Sequence, residues 1–255
     1  MFKRIISVLF LAVFAAGCAG ALQKGEVDAH FYFDRGMNYF NKRDYVKALT
    51  EFQTITEQFQ ASEIVDQAHF MLAETHYKNE DYITAAYEYE RVYADYPTSK
   101  YAVEARYKRA LCYYQESPKA DLDQENTRTA IDDFKRFIDN FPDNEFVNEA
   151  QKKINELEEK LAYKNFKTGE LYVKLKRYES AVLYFKFLQD DYPKSVWVKE
   201  AKYYIGEIYF KQKKYAEAKQ VLTSLVSSDA DKNLKKKAEK KLSQIEKITR
   251  KNTKK

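Results

Sequence analysis

The sequence predicts an all-α protein, an α-solenoid in which one two-helix unit recurs five times. Three observations lead there. The 255 residues include only 6 Gly and 4 Pro against 22 Tyr and 17 Phe. That is too few turn formers for sandwiches, barrels or Gly-rich nucleotide-binding folds, and too much aromatic content for disorder. After Gly25 the three remaining glycines, Gly36, Gly169 and Gly206, share one local pattern, each followed three residues later by tyrosine. Finally, Pro97, Pro142 and Pro193 fall at one position of that pattern, where a missing N–H and a clash with the preceding turn stop a helix.

The chain begins with an address. Lys3 and Arg4 form a basic start, and residues 5–16 are an apolar stretch of 12 residues. A bilayer span needs about 20 residues, so this stretch reads as a secretory signal. Ala15, Ala16 and Gly17 lead directly into Cys18. This resembles the lipobox of bacterial lipoproteins, whose cysteine is lipidated and becomes the new N-terminus. The other reading is an ordinary cleaved signal with an incidental cysteine. In lipoproteins an Asp after the cysteine tends to retain the protein in the inner membrane; Ala19 departs from that signal, which implies the outer membrane. Residues 1–17 are then a signal peptide and 18–27 a linker.

The first repeat reads Arg35-Gly36-x-x-Tyr39, then Ala48, Phe52 and Ile55. The second has Ala73, His76, Ala85, Tyr89, Val92 and Pro97, and the third Ala110, Tyr113, Ala130, Phe134, Phe137 and Pro142. The fourth has Gly169, Tyr172, Ala181, Phe185, Leu188 and Pro193, and the fifth Gly206, Tyr209, Ala218, Leu222 and Leu225. These are the positions of the tetratricopeptide repeat, a helix–turn–helix unit whose small residues let the two helices meet while large residues fill the space between neighbours. Repeat three carries an insertion around 115–127, and residues 144–163 continue at helical spacing (Ala150, Ile154, Leu157, Leu161). The expected division is repeats one to three at 28–142, and repeats four and five at 143–230 with a long first helix. Residues 231–255 are expected to form a capping helix and a basic tail.

Charge follows the same division. The net +5 combines +7 in residues 229–255 and +2 from Lys3 and Arg4 with −4 in residues 5–228. The body is mildly acidic, so no nucleic-acid partner is expected. The tail could meet anionic headgroups or an acidic partner, or simply solubilise the end.

No enzyme constellation is present. The three histidines include no HExxH, and His69 and His76 occupy packing positions. Asp121, Asp123 and Glu125 superficially resemble a calcium loop but lack its central Gly and its final Glu. Cys112 reads as a small buried helix residue. No catalytic residue, metal or cofactor is expected.

The aromatic positions carry the interest. Repeat position five, which in this architecture usually faces the concave groove, reads Phe33, Phe70, Tyr107, Phe166 and Tyr203. Position twelve reads Phe40, Tyr77, Tyr114, Val173 and Phe210. Two readings stand open: core packing against the adjoining repeat, or a ribbon of rings lining a peptide groove (Phe33, Phe70, Tyr107, Phe40, Tyr77, Tyr114). Position nine runs Met37, Glu74, Leu111, Glu170, Glu207, and the late acids Glu170 and Glu207 suggest a second surface for a polar, folded partner.

A lipobox followed directly by five such repeats resembles the BamD family, also called ComL or YfiO, the lipoproteins of the β-barrel assembly machinery. The loop-bearing third repeat, Thr129 to Phe134 with Phe141-Pro142, and Leu161 to Phe166 carry the more specific likeness. The resemblance implies a non-catalytic adaptor, lipid-anchored at Cys18 in the outer membrane and facing the periplasm. Its partners would be the periplasmic domains of a BamA-like insertase, at the C-terminal repeats, and unfolded outer-membrane proteins, at the N-terminal ones. A CpoB-like envelope-coordination lipoprotein is the alternative in the same class, although no sustained heptad appears. A solenoid-bodied peptidoglycan-processing enzyme is the alternative of another class, and only about 25 residues remain after repeat five to hold its chemistry.

Overall fold

The computed structural model describes residues 28–253, so the signal peptide and Cys18 lie outside the described residues. Those residues form eleven α-helices and no strand. Five helix pairs follow in order: α1 (Ala29–Asn41) with α2 (Tyr45–Gln58), α3 (Val65–Lys78) with α4 (Tyr82–Asp95), α5 (Ala102–Gln115) with α6 (Glu125–Asn140), α7 (Val147–Lys174) with α8 (Tyr178–Asp191), and α9 (Trp197–Lys211) with α10 (Tyr215–Val226). The last helix, α11, runs Lys232–Thr253.

Four of the five pairs close through a three-residue turn that ends one helix and starts the next. In the first, Asp44 N–H bonds Tyr39 O and Arg43 N–H bonds Phe40 O, the Schellman arrangement that satisfies the last carbonyls of a helix. Arg43 adopts φ 61°, and Glu80, Lys176 and Lys213 repeat this left-handed geometry at 62°, 57° and 60°. Asp44 and Asp81 then cap the second helices through Lys47 N–H and Thr84 N–H, so one aspartate terminates a motif and begins a helix. Repeat three lacks the tight turn. There Gln124, 1% exposed, donates to Lys119 O and Leu122 O and accepts from Thr127 Oγ1, pinning the insertion from within.

The small positions work as expected. A Cβ on Gly36 would come within 2.6 Å of Phe52 Cε1, on Gly169 within 2.5 Å of Phe185 Cε1, and on Gly206 within 2.6 Å of Leu222 Cδ2. Ala48, Ala85, Ala130, Ala181 and Ala218 are fully buried on the facing helices. Helices α4, α6 and α8 end one residue before an aromatic–proline step: Tyr96-Pro97, Phe141-Pro142 and Tyr192-Pro193. Helix α7 is continuous for 28 residues. Its first half adds Ala150, Ile154, Leu157 and Leu161 to the core formed by α5 and α6, and its second half adds Phe166 to the core of α8 and α9.

The chain divides into two compact units at residues 102 and 103, in the first turn of α5. Unit one is centred on Ala48, Phe52, Ile55, Ala68 and Leu72. Unit two strings three cores along α5–α11, and the last, around Leu222, Leu225, Leu234, Ala238 and Ile245, seats α11 on α10. This division is not the module boundary expected at 142–143.

Candidate functional site

Position five belongs largely to the core. Phe70, Tyr107 and Phe166 are 7%, 2% and 5% exposed. Each ring stacks on an aromatic that the chain supplies just before or at the next first helix: Phe70 on Tyr101 at 4.8 Å, Tyr107 on Phe146 at 4.5 Å, and Phe166 on Trp197 at 4.8 Å. Phe70 and Tyr107 therefore offer almost no ring surface to a peptide. The packing reading holds for them, and the groove reading is corrected there. Phe33 is half-buried, 5.6 Å from the Phe52 ring, because Ile64 occupies the place where later repeats put an aromatic partner.

Position twelve keeps more surface. Phe40 and Tyr77 are half-buried, each edge-on to the tyrosine that opens the following helix: Phe40 to Tyr45 at 5.9 Å and Tyr77 to Tyr82 at 5.2 Å. In unit one, Phe33, Phe40 and Tyr77 are thus the candidate rings with exposed edges. Tyr114, in unit two, is engaged by α7. Its hydroxyl donates to Glu156 at 2.6 Å, and Lys153 Nζ sits 4.1 Å from its ring centre. The bond to Glu156, then burial, pushes the Tyr114 phenol up to about 12.

The two acidic candidates are paired inside the chain. Glu170 accepts from Lys167 Nζ at 2.8 Å and from Tyr204 Oη at 2.9 Å. Burial works to raise its pKa, but those bonds and the lysine charges outweigh it, and the carboxyl lies below its ordinary range. Tyr204 responds in the other direction, raised to about 12 by burial and by the Glu170 bond. Glu207 lies 3.2 Å from Lys241 of α11. Their side chains keep 20% and 24% exposure, which leaves each carboxylate an edge toward solvent.

Two arrangements escaped the sequence reading. In repeats one to three the residue before the large second-helix aromatic is a carboxylate turned inward: Glu51 bonds Arg35 at 2.6 Å, Glu88 lies 3.1 Å from His69 Nδ1, and Asp133 pairs with Arg109. His69 is fully buried, and His76 lies 3.1 Å from Asp81 Oδ2, so the histidines pack and tie carboxylates, here including the α4 cap. The second arrangement is a cleft of about 520 Å³ between the repeat-three insertion and α7, lined by Lys119, Asp121, Tyr163, Lys164, Thr168 and Leu171 among others. Lys164 Nζ holds Leu122 O, and Lys160 Nζ holds Ser117 Oγ at 2.7 Å. Tyr163 and Leu171 stay 37% and 53% exposed. A volume of this size lies within the range of ligand-sized clefts. Only the length of the insertion hinted at it.

The family model described as YfiO, outer membrane lipoprotein, matches residues 26–225. The chain belongs to the YfiO family. That match covers the five helix pairs up to the last residue of α10 and leaves α11 outside it. A curated relative, the outer membrane protein assembly factor BamD of Rickettsia prowazekii (strain Madrid E), is 26% identical over 225 residues, 88% of this chain and 90% of that protein. Among solved structures, a tetratricopeptide repeat protein from Parabacteroides merdae ATCC 43184 aligns with TM-score 0.37 and 14% identity over 89% of this chain and 75% of that one. The P58(IPK) tetratricopeptide repeat domain aligns with TM-score 0.43 and 14% identity over 89% and 67%.

Proposed function

We propose that this protein is a non-catalytic adaptor of outer-membrane protein assembly, anchored by lipid at Cys18 on the periplasmic side of the outer membrane. The observation that carries the reading is the family match along residues 26–225, joined to a relative of nearly equal length that is named an assembly factor. Exposed aromatic edges support a role in holding unfolded barrel proteins, since such chains are extended and rich in alternating aromatics. Phe33, Phe40 and Tyr77 in unit one, and the Tyr163–Leu171 cleft in unit two, can accept rings with little demand for exact register. Glu170 and Glu207 serve the folded periplasmic domains of a BamA-like insertase.

Three experiments test it. Cys18→Ser should release the protein from outer-membrane fractions; unchanged retention sinks the anchor. Photo-crosslinkers at Tyr77 and Tyr163 should capture C-terminal barrel peptides, whereas one at Tyr107 should not. For the insertase, Glu207→Lys should weaken pull-down, and adding Lys241→Glu, which restores the internal pair, should fail to rescue it. Rescue by the swap would make Glu207 a purely internal tie and remove it from the partner surface.

A further inference from the structure

We propose that α11 is an electrostatic landing strip for an anionic lipid bilayer. The helix has two faces of opposite character. Leu234, Ala238 and Ile245 are buried at 2%, 0% and 1%, and with the half-buried Leu242 they pack on Leu222 and Leu225 of α10. At about 100° per residue, the face opposite is Lys232, Lys236, Lys240, Ser243, Lys247, Arg250 and Lys251. All seven are exposed, and six are cations. Glu239 and Glu246 lie along one flank. Among the described residues, the ion pair of this helix comes from Lys241, beside the buried seam, to Glu207, so the six outer cations project to solvent.

Such a row opposes helix formation. Lys232 and Lys236, Lys236 and Lys240, and Lys247 and Lys251 stand four apart, where like charges repel. Successive turns are about 5.4 Å apart, inside one Debye length at physiological salt, so the charges act together. An anionic surface laid along the row, which runs for about 28 Å, turns that repulsion into attraction.

The chemistry of the face selects a bilayer over other polyanions. It carries no aromatic or apolar side chain, the groups that anchor protein–protein interfaces. Five of its six cations are lysine, a hydrated point charge on a flexible stem that suits a fluid array of phosphates, whereas fixed bidentate partners favour arginine. Residues 5–228 are net −4, which disfavours a duplex that would wrap onto the body. The family is one of outer membrane lipoproteins, and a lipid chain holding the protein near the surface raises the effective concentration of a second, polybasic contact. This role goes beyond adaptor function and stands independently of it.

The test uses the mature chain with Cys18→Ser, so that acyl chains contribute nothing. Co-sedimentation with phosphatidylcholine vesicles, with and without phosphatidylglycerol, should show binding only to the anionic ones, weakening steeply with salt. The triple variant Lys236→Gln, Lys240→Gln, Lys247→Gln should lower that affinity by roughly two orders of magnitude, at about fivefold per cation near the surface. A control triple elsewhere, Lys211→Gln, Lys213→Gln, Lys219→Gln, should change it little, and circular dichroism should match wild type for both. Glycerol phosphate should not compete, because the array and not the single phosphate is bound. Equal loss in both triples, binding to neutral vesicles, or tighter binding to duplex DNA than to anionic vesicles would overturn the proposal.

Discussion

The Tyr107 ring lies flat on Phe146, with centroids 4.5 Å apart and planes 6° from parallel. Tyr107 is inside α5 and Phe146 is the cap of α7, so the stack ties the third helix pair to the fourth. A position that could have lined a groove is spent on holding neighbouring repeats together. Tyr107→Ala should therefore cost about 3–5 kcal/mol in unit two. In a double-mutant cycle with Phe146→Ala, read by urea unfolding, the pair should show about 0.5–1.5 kcal/mol of coupling. Strict additivity would mean the rings merely share a core.

The left-handed turn residues offer a stabilising series. Arg43, Glu80, Lys176 and Lys213 hold φ near 60°, where a Cβ costs about 1–2 kcal/mol and glycine pays no such penalty. Replacing each with Gly should raise stability by about 0.5–1 kcal/mol, after allowance for the looser unfolded chain. The four changes are far apart in sequence and should add. A fall in melting temperature for all four would contradict the turn geometry.

Close helix contact at the small positions predicts the opposite sign for larger residues. Leu222 Cδ2 and Cγ stand 2.6 and 2.7 Å from where a Gly206 Cβ would be, so Gly206→Leu should destabilise by about 1–3 kcal/mol. Gly206→Ala should cost less, and Leu222→Ala added to it should lose less than the sum of the two. Chemical denaturation of the three variants decides whether the contact limits the pair.

Alkaline pH should loosen the second unit first. Tyr114 and Tyr204 rise from 10.0 to about 12, Tyr114 chiefly through its bond to Glu156 and Tyr204 chiefly through burial. The folded state holds these protons more tightly than the unfolded chain does, so their contribution is full below about pH 10 and is lost as pH rises toward 12. Tyr114→Phe together with Tyr204→Phe should flatten the decline of stability across that window. An unchanged slope would show that neither phenol stays protonated as its surroundings require. At acid pH the sign reverses for Glu170, whose lowered pKa makes its contribution present above the ordinary carboxylate value and lost below its own.

The sequence alone determined the helix pairs, because their signals are local. Gly36, Gly169 and Gly206 against Phe52, Phe185 and Leu222, and the prolines just past α4, α6 and α8, lie within one repeat at fixed spacing, where steric limits act residue by residue. The continuous α7 was legible for the same reason, in the unbroken spacing of Ala150, Ile154, Leu157 and Leu161. The tertiary structure decided what each ring and charge would meet. Phe70, Tyr107 and Phe166 are covered in part by Tyr101, Phe146 and Trp197, which the next repeat brings over them, while Phe33, with Ile64 at the equivalent place in the sequence, keeps an edge. Glu170 and Glu207 are tied by Tyr204 and Lys241, each 34 residues further along. Gln124 turned an insertion into one wall of a cleft that α7 completes. Burial and ion pairing depend on which side chain a different repeat places within a few ångströms, and that distance is a property of the packed chain.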